Sequence, residues 1–347
     1  MKTIGNAGAN SAGTAARQRK MPGRWLQRVI LAVGAALALI GAATAQEYPT
    51  RQITVIVPFP AGGSTDILAR ILSEPMRQAL GQPVVVQNVP GAGSTIGTGR
   101  AVQAAPDGYT LIVGNWTSHV GAGAVYPVKW NPVTDLDPIA ILSTTTLIIA
   151  GRTGLPVNDG KELISWLKSN PEPATAATVG TGSGAHVCGI YFEQKTGTRF
   201  RYVPYKGGAP AMAALLGNEV DLFCGEASQM LGHFQAGKIK PLLVMSKSRW
   251  RPLPEVLTME ETGASDTYIA FWQGMWAPKG TPKEIIAKIR DAVAKAFEDP
   301  VVIKRLTDLG QDLPTREQVT PEALAAYHKS EIDKWWPLIK GANLRVE

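Results

Sequence analysis

The chain has 347 residues, with 35 Lys or Arg against 28 Asp or Glu and a formal charge of +7. That length suits two domains of ordinary size. The excess charge does not point to a polyanionic partner: six of the bases and none of the acids lie in residues 1–45, leaving 29 against 28, so nucleic-acid binding loses its electrostatic support.

The N-terminus reads as an export signal. A basic stretch ending at Arg28 leads into an apolar run over 29–43, and Ala43-Thr44-Ala45 places small residues where a signal peptidase reads them. Cleavage is expected after Ala45, delivering the protein to the periplasm. The run is shorter than the roughly 20 residues a membrane span needs. No cysteine stands directly after the cleavage point and no adjacent arginines precede it, which argues against a lipoprotein and against the twin-arginine route. Met21 is an alternative start, since residues 21–45 alone have the length of a signal. Two cysteines, Cys188 and Cys224, lie in the exported part. An oxidising compartment permits a bridge; one disulfide or two buried thiols both fit.

After Gln46, strand-like and helix-like segments alternate, the pattern of an α/β fold. Ile53–Val57 is a continuous apolar run of the kind a buried parallel strand shows. It breaks at Pro58 and Pro60, passes through Ala61-Gly62-Gly63-Ser64, and resumes at helical spacing with Ile67, Leu68, Ile71 and Leu72. Strand, glycine loop and helix start together gather free backbone N–H groups and the positive end of a helix dipole, which is an anion trap. The helix is expected over 65–80, stopped at Gly81, with Pro75 kinking or splitting it.

Residues 83–87 read as the second strand, 88–94 as a second glycine loop, and 109–113 as the third strand, followed by a polar loop through Asn115 and Ser118. Strand-like runs at 135–142 and 147–150 come next. Asn158 or Asp159 can cap a helix to about residue 169. A strand over 174–179 ends in the loop 180–186, and a helix follows to 196. Strands at 199–203, 220–223 and 242–245 alternate with helices at 210–216 and 228–235. The aromatic run 268–276 crosses back. Thr281-Pro282-Lys283-Glu284 spells a capping box, with Ile285, Ile286, Ile289, Val293 and Phe297 on the buried face. A last helix from Thr320-Pro321 carries Trp335 and Trp336.

Catalytic and cofactor motifs are thin. Gly91, Gly93 and Gly97 stand one residue too far apart for a dinucleotide loop, and no acid follows about 20 residues on. No phosphate-loop lysine, H-E-x-x-H, cysteine-pair metal site or G-x-S-x-G elbow occurs. His119, His186, His233 and His328 are far apart. His186 and Cys188, two positions apart on a helix start, face different sides. No catalytic residue, metal or cofactor is expected. What remains is five loops at strand ends (60–66, 88–94, 115–118, 180–186 and 205–208), all rich in Gly, Ser, Thr or Asn. In α/β sheets ligands bind beyond the carboxyl ends of the strands. Together these loops favour a binding cleft.

The same residues carry a resemblance. Tyr48-Pro49 with 53–66, then 82–86, 88–93 (N-V-P-G-A-G), 105–111 (A-P-D-G-Y-T-L), 135–139, 203–207 (V-P-Y-K-G), 220–222 and 276–282 (W-A-P-K-G-T-P) occur in the order seen in the Bug family. These are the periplasmic solute-binding proteins of tripartite tricarboxylate transporters. The resemblance implies a type II periplasmic binding fold: two α/β lobes, 47–148 plus 271–347 and 149–270, joined by two crossing segments. It implies a monomer that closes on a small organic carboxylate and delivers it to membrane permease subunits. Carried over by position, one carboxylate is held, partly through water, by Phe59, Ala61, Gly62, Gly63, Ser64 and Asp66 from the first lobe and by Thr181, Gly182, Ser183, Gly184 and His186 from the second. Trp116, Ser118, Lys206 and the wall at Cys224–Glu226, with Gly225 at its centre, are expected to set selectivity. Family members often carry an aspartate where this chain has Gly225, so that wall is altered. Two rivals share the export signal: a ligand-presenting component of a sensory system, and a secreted hydrolase, which needs a nucleophile–base pair.

Overall fold

The computed structural model describes residues 48–264, 268–341 and 344. The expected export signal and its cleavage point after Ala45 lie outside the described residues. In chain order the strands are β1 (Ile53–Val57), β2 (Val84–Asn88), β3 (Thr110–Asn115), β4 (Leu136–Arg152), β5 (Ala174–Thr178), β6 (Phe200–Pro204), β7 (Leu222–Glu226), β8 (Ile239–Val244) and β9 (Ala270–Pro278). The helices are α1 (Ser64–Leu80), α2 (Thr95–Val102), α3 (Ala122–Val125), α4 (Gly160–Ser169), α5 (Gly184–Thr196), α6 (Gly208–Leu216), α7 (Ala227–Gln235), α8 (Lys283–Ala296), α9 (Pro300–Asp308) and α10 (Pro321–Gly341).

One long strand organises the sheet. The first part of β4, up to Thr146, pairs antiparallel with β9, and β9 continues to β3, β1 and β2. From Leu147 on, the same strand pairs with β7 on one side and β8 on the other, and β7 continues to β5 and β6. Each end of β4 therefore carries its own parallel strands, β2-β1-β3 and β7-β5-β6. The helices that follow β1 and β5 start at the carboxyl ends of those strands, so both glycine loops open toward the middle of the molecule. Register shifts at Pro138/Ala140, Ile141/Ser143 and Ile149/Ala150 interrupt the ladders along β4.

Local chemistry accounts for most elements. Leu68, Ile71, Leu72 and Met76 bury one face of α1, and Gly81 ends it in the left-handed region at φ +71°, donating to the Arg77 carbonyl at 2.9 Å. Asp159 caps α4 by accepting from the Lys161 and Glu162 amides, and Glu162 returns a bond to the Asn158 N–H at 2.7 Å. One expectation narrows and another fails. Pro75 does not split α1, which runs through it as one helix; the buried residues on either side hold both halves against the same core. The capping box at Thr281 does not form. The Thr281 hydroxyl donates back to the Pro278 carbonyl at 2.8 Å within the tight turn at Gly280, and α8 starts after Pro282 without a side-chain cap.

The core of the β1 end is aromatic. Trp116, Trp272, Trp276 and Trp335 are fully buried, and His119 stacks on Trp276 with ring centroids 3.7 Å apart. His328, on α10, donates from Nε2 to the His119 carbonyl at 2.8 Å. Burial lowers its pKa to about 4, although that hydrogen bond pulls the other way. A histidine that resists protonation in the fold but titrates near 6.5 when unfolded contributes stability above pH 6.5 that is lost as pH falls toward 4, by about 3 kcal/mol. His328→Gln, which removes the titration, is expected to flatten that part of the stability–pH curve measured by urea unfolding.

Cys188 on α5 and Cys224 on β7 form a disulfide, Cα atoms 6.4 Å apart, closing a sequence separation of 36. The bridge ties a helix to the strand beneath it and resolves the two alternatives the sequence left. Loop-closure entropy assigns it about 4 kcal/mol. A Cys188→Ser/Cys224→Ser double variant is expected to lose most of that in denaturant melts while keeping its far-UV spectrum.

Candidate functional site

The first glycine loop is clamped from below. Gly62 sits at φ +83°, a conformation glycine adopts without strain. Its N–H donates to Asp66 Oδ2 at 2.9 Å. Asp66 also accepts from Arg70 Nε at 3.0 Å and from Asn88 Nδ2 at 2.9 Å, and Asn88 in turn donates to the Phe59 carbonyl at 3.1 Å. Burial alone raises the Asp66 carboxyl; the bonds from Arg70, Gly62 and Asn88 outweigh it and hold the group below the usual carboxylate range. The Asp66 carboxylate is engaged by Gly62, Asn88 and Arg70, so this side chain is a positioning group. Gly63 occupies the cap of α1 and has no side chain to spend there. The first-turn amides of Ser64 and Thr65 are therefore without intrahelical partners.

The second loop repeats the device. Gly182, at φ +73°, donates from its N–H to His186 Nδ1 at 3.1 Å, four residues on, as Gly62 does to Asp66. Nδ1 is thereby the acceptor, and burial holds the imidazole near pKa 4, so the ring is neutral at pH 7. The Ser183 hydroxyl caps α5 by accepting from the His186 N–H. The Gly184 N–H donates to Thr117 Oγ1 at 3.1 Å, a bond that joins the second loop to the segment after β3. The Ala185 amide remains.

Between the two loops lies a pocket. Gly63, Ser64 and Thr65 line it from the first loop, Asn115 and Thr117 from the end of β3, and Val179 and Ala185 from the second loop. Gly208, Gly225, Glu226 and Gln229 form one wall, and Phe59, Leu147, Phe223 and Phe271 supply apolar surface. Asn115 fixes the polar end: its Nδ2 donates to Thr65 Oγ1 at 2.9 Å and its Oδ1 accepts from the Thr117 N–H at 2.9 Å. No lysine, arginine or histidine is among the lining residues. An anion here meets backbone amides, hydroxyls and helix dipoles rather than a counter-charge.

The structure brings some of the expected residues together and not others. Phe59, Gly63, Ser64 and Gly225 line the pocket. Ala61 and Gly62 are exposed at the loop tip, and Thr181, Gly182, Ser183, Gly184 and His186 shape the second loop without lining the pocket. Trp116 and Ser118 turn away. Trp116 is fully buried, edge-on to Trp335 with centroids 5.6 Å apart. The Ser118 hydroxyl accepts from the Asn115 N–H at 2.9 Å and contacts His119 Nδ1 at 2.8 Å. Trp116 stands just before the π-helical turn Thr117–Gly121 and Ser118 within it, and both side chains are buried. Lys206 is exposed and outside the lining.

Gln229, Phe223, Leu147 and Phe271 are pocket residues that sequence reasoning did not name, and Glu226 was named only as part of the altered wall at 224–226. Asn115 and Thr117 fell within a loop it singled out. Nothing in the local pattern around Gln229 or Phe271 marks them, because they reach the pocket through long-range packing. Gly225 is tightly enclosed: a Cβ there would meet Met230 Cε at 2.5 Å and the Phe223 ring at 2.7 Å. The neighbouring Glu226 supplies the acid on this wall.

Comparison with known proteins follows the same lines. The model of the tripartite tricarboxylate transporter family receptor matches residues 68–344. Protein BugT of Bordetella pertussis is 32% identical over 327 residues, 92% of this chain and 99% of that one. The solved structure of the periplasmic binding protein BugD is 37% identical with a TM-score of 0.82, covering 86% of this chain and 100% of that one. MatC from Rhodopseudomonas palustris, solved with bound malate, is 34% identical with a TM-score of 0.81, covering 84% of this chain and 100% of that one.

Proposed function

The chain belongs to the tripartite tricarboxylate transporter receptor family, and on that premise we propose that it captures one small organic carboxylate in the periplasm and presents it to membrane permease subunits. As a receptor of this family it is a binding protein and not an enzyme. It has the two-lobe α/β fold of the periplasmic binding proteins. The observation that carries the reading is the paired loops: two glycine turns, each clamped by a residue four positions on, present the open amides of Ser64, Thr65 and Ala185 to one pocket without a basic side chain. The malate bound in MatC is an anion of the class such a site takes.

In this reading the lobes are 47–148 plus 271–347 and 149–270. β4 and the run 268–276 are the crossing segments, and the ligand closes the hinge by contacting both loops at once. The Ser64 and Thr117 hydroxyls add hydrogen bonds to the carboxylate, and Phe59 and Phe271 flank its apolar body. Residues 1–45 direct export, and the mature protein acts as a monomer. The test is a thermal-shift panel of mono- and dicarboxylates on the mature protein after unfolding and refolding to strip any carried ligand. At least one carboxylate is expected to raise the melting temperature by several degrees. A flat response across the panel overturns the reading.

A further inference from the structure

Glu226 is the single ionisable side chain among the residues lining the pocket. It is the last residue of β7 and stands at the cap position of α7, yet its side chain makes no capping bond. Asp159 and Asp299, at the same position of α4 and α9, are both spent on amides. Glu226 Oε2 is shielded from solvent and has no hydrogen-bond partner. Burial pushes the carboxyl up to about 7, with the facing Ser64 hydroxyl pulling the other way. A buried acceptor left empty is costly, and the pocket offers no basic side chain to fill it. A donor carried by the ligand can satisfy this oxygen.

The two polar ends of the pocket also sit close together. Ser64 contributes an amide to the first loop's anion-binding end and its hydroxyl faces Glu226 from across the cleft. A second carboxylate on the ligand would meet Glu226 as a like charge, and no cation lines the pocket to offset it. A protonated amine near the ligand's carboxylate meets both ends correctly: amides and dipoles on one side, a carboxylate on the other.

We propose that Glu226 is a specificity residue that selects a zwitterion, a carboxylate carrying a protonated amine within a few bonds, over the same acid without the amine. This rests on the carboxylate-binding reading above. Binding of that amine ionises Glu226 and forms a charge-assisted hydrogen bond in a site shielded from water.

The experiment is titration calorimetry at pH 7.5 with matched pairs that differ only in the amine: alanine and propionate, aspartate and succinate, glutamate and glutarate, phenylalanine and 3-phenylpropionate. At least one amino acid is expected to bind the wild-type protein tenfold or more tighter than its partner acid. In Glu226→Gln that preference is expected to fall below threefold, with the plain acid binding at least as well as before. Wild-type protein that binds the plain acids as tightly as the amino acids overturns the inference and leaves the carboxylate reading standing. No binding by any member overturns both. The wild-type comparison stands even if the variant is poorly folded. A dicarboxylate that binds wild type only below pH 7, and Glu226→Gln at every pH, identifies the carboxyl instead as a protonated donor and likewise overturns the zwitterion assignment.

Discussion

Gly121→Val is expected to give a folded protein that has lost at least a hundredfold in ligand affinity. Gly121 ends the π turn after Trp116 and has φ −63°, a backbone any residue adopts, so nothing conformational demands glycine there. Space does. A Cβ at this position would lie 2.2 Å from the Gly182 carbonyl oxygen, backbone of the second loop, and 3.1 Å from the Trp116 ring. The clash is with a carbonyl that cannot rotate away, so relief comes from moving the second loop off the segment after β3. That movement breaks the Gly184–Thr117 hydrogen bond and parts the two sets of amides. A hundredfold loss corresponds to about 2.7 kcal/mol against the closed form, within what a sub-van-der-Waals contact with fixed backbone imposes. Gly207→Val is a second wedge, since a Cβ there would stand 2.6 Å from Pro60 Cδ. Calorimetry with the best ligand from the panel reads the affinity, and ligand-free melting and far-UV spectra read the fold. Unchanged affinity in both variants would mean the loops need not meet, and hinge closure as described here would be abandoned.

Asp66→Ala is expected to cost about 3 kcal/mol of stability and to weaken binding by more than tenfold. The Asp66 side chain is 4% exposed and accepts from a backbone N–H, an asparagine amide and a guanidinium. Removing it strands the Gly62 N–H and Asn88 Nδ2 in a partly buried place, where an unmet donor costs about 1–3 kcal/mol; Arg70, half exposed, is rehydrated. The loop that presents Ser64 and Thr65 then loses its clamp. Asp66→Asn keeps an acceptor for Gly62 and is expected to fall between wild type and alanine. Because the folded carboxyl lies below its ordinary value, its contribution is complete above about pH 4 and is lost as pH falls further. The gap between wild type and Asp66→Ala should therefore narrow in acid. Urea unfolding at pH 7 and pH 3 measures it; an alanine variant within half a kcal/mol of wild type at pH 7 would show that the clamp does not hold the loop.

Much of the binding machinery was readable because it is local. A strand, a glycine turn and a helix start within a dozen residues determine where the amides point, and both loops behave as their residues dictate. Asp66 and His186, read from the sequence as ligand contacts, stand four residues from the glycines they hold, and the structure gives both side chains to those glycines instead. The failures have the opposite character. Thr281 has the residue types of a capping box, and a turn bond to Pro278 takes its hydroxyl. Trp116 and Ser118 follow a strand end as a ligand contact does, but the partner that claims Trp116 is Trp335, far along the chain on α10.

The sequence by itself determined the α/β alternation and the two glycine turns at strand ends, because each depends on backbone geometry and residue type over a few positions. Only the tertiary structure decided which side chains face the pocket. Leu147, Phe271 and Glu226 come from β4, β9 and β7, and the register of those strands, together with the helix each leads into, sets their direction. A one-residue change of register reverses every side chain on a strand, and register follows from pairing between distant segments. On the proposed reading, selectivity at Glu226 lies in the packed sheet, while affinity for a carboxylate lies in the local turns.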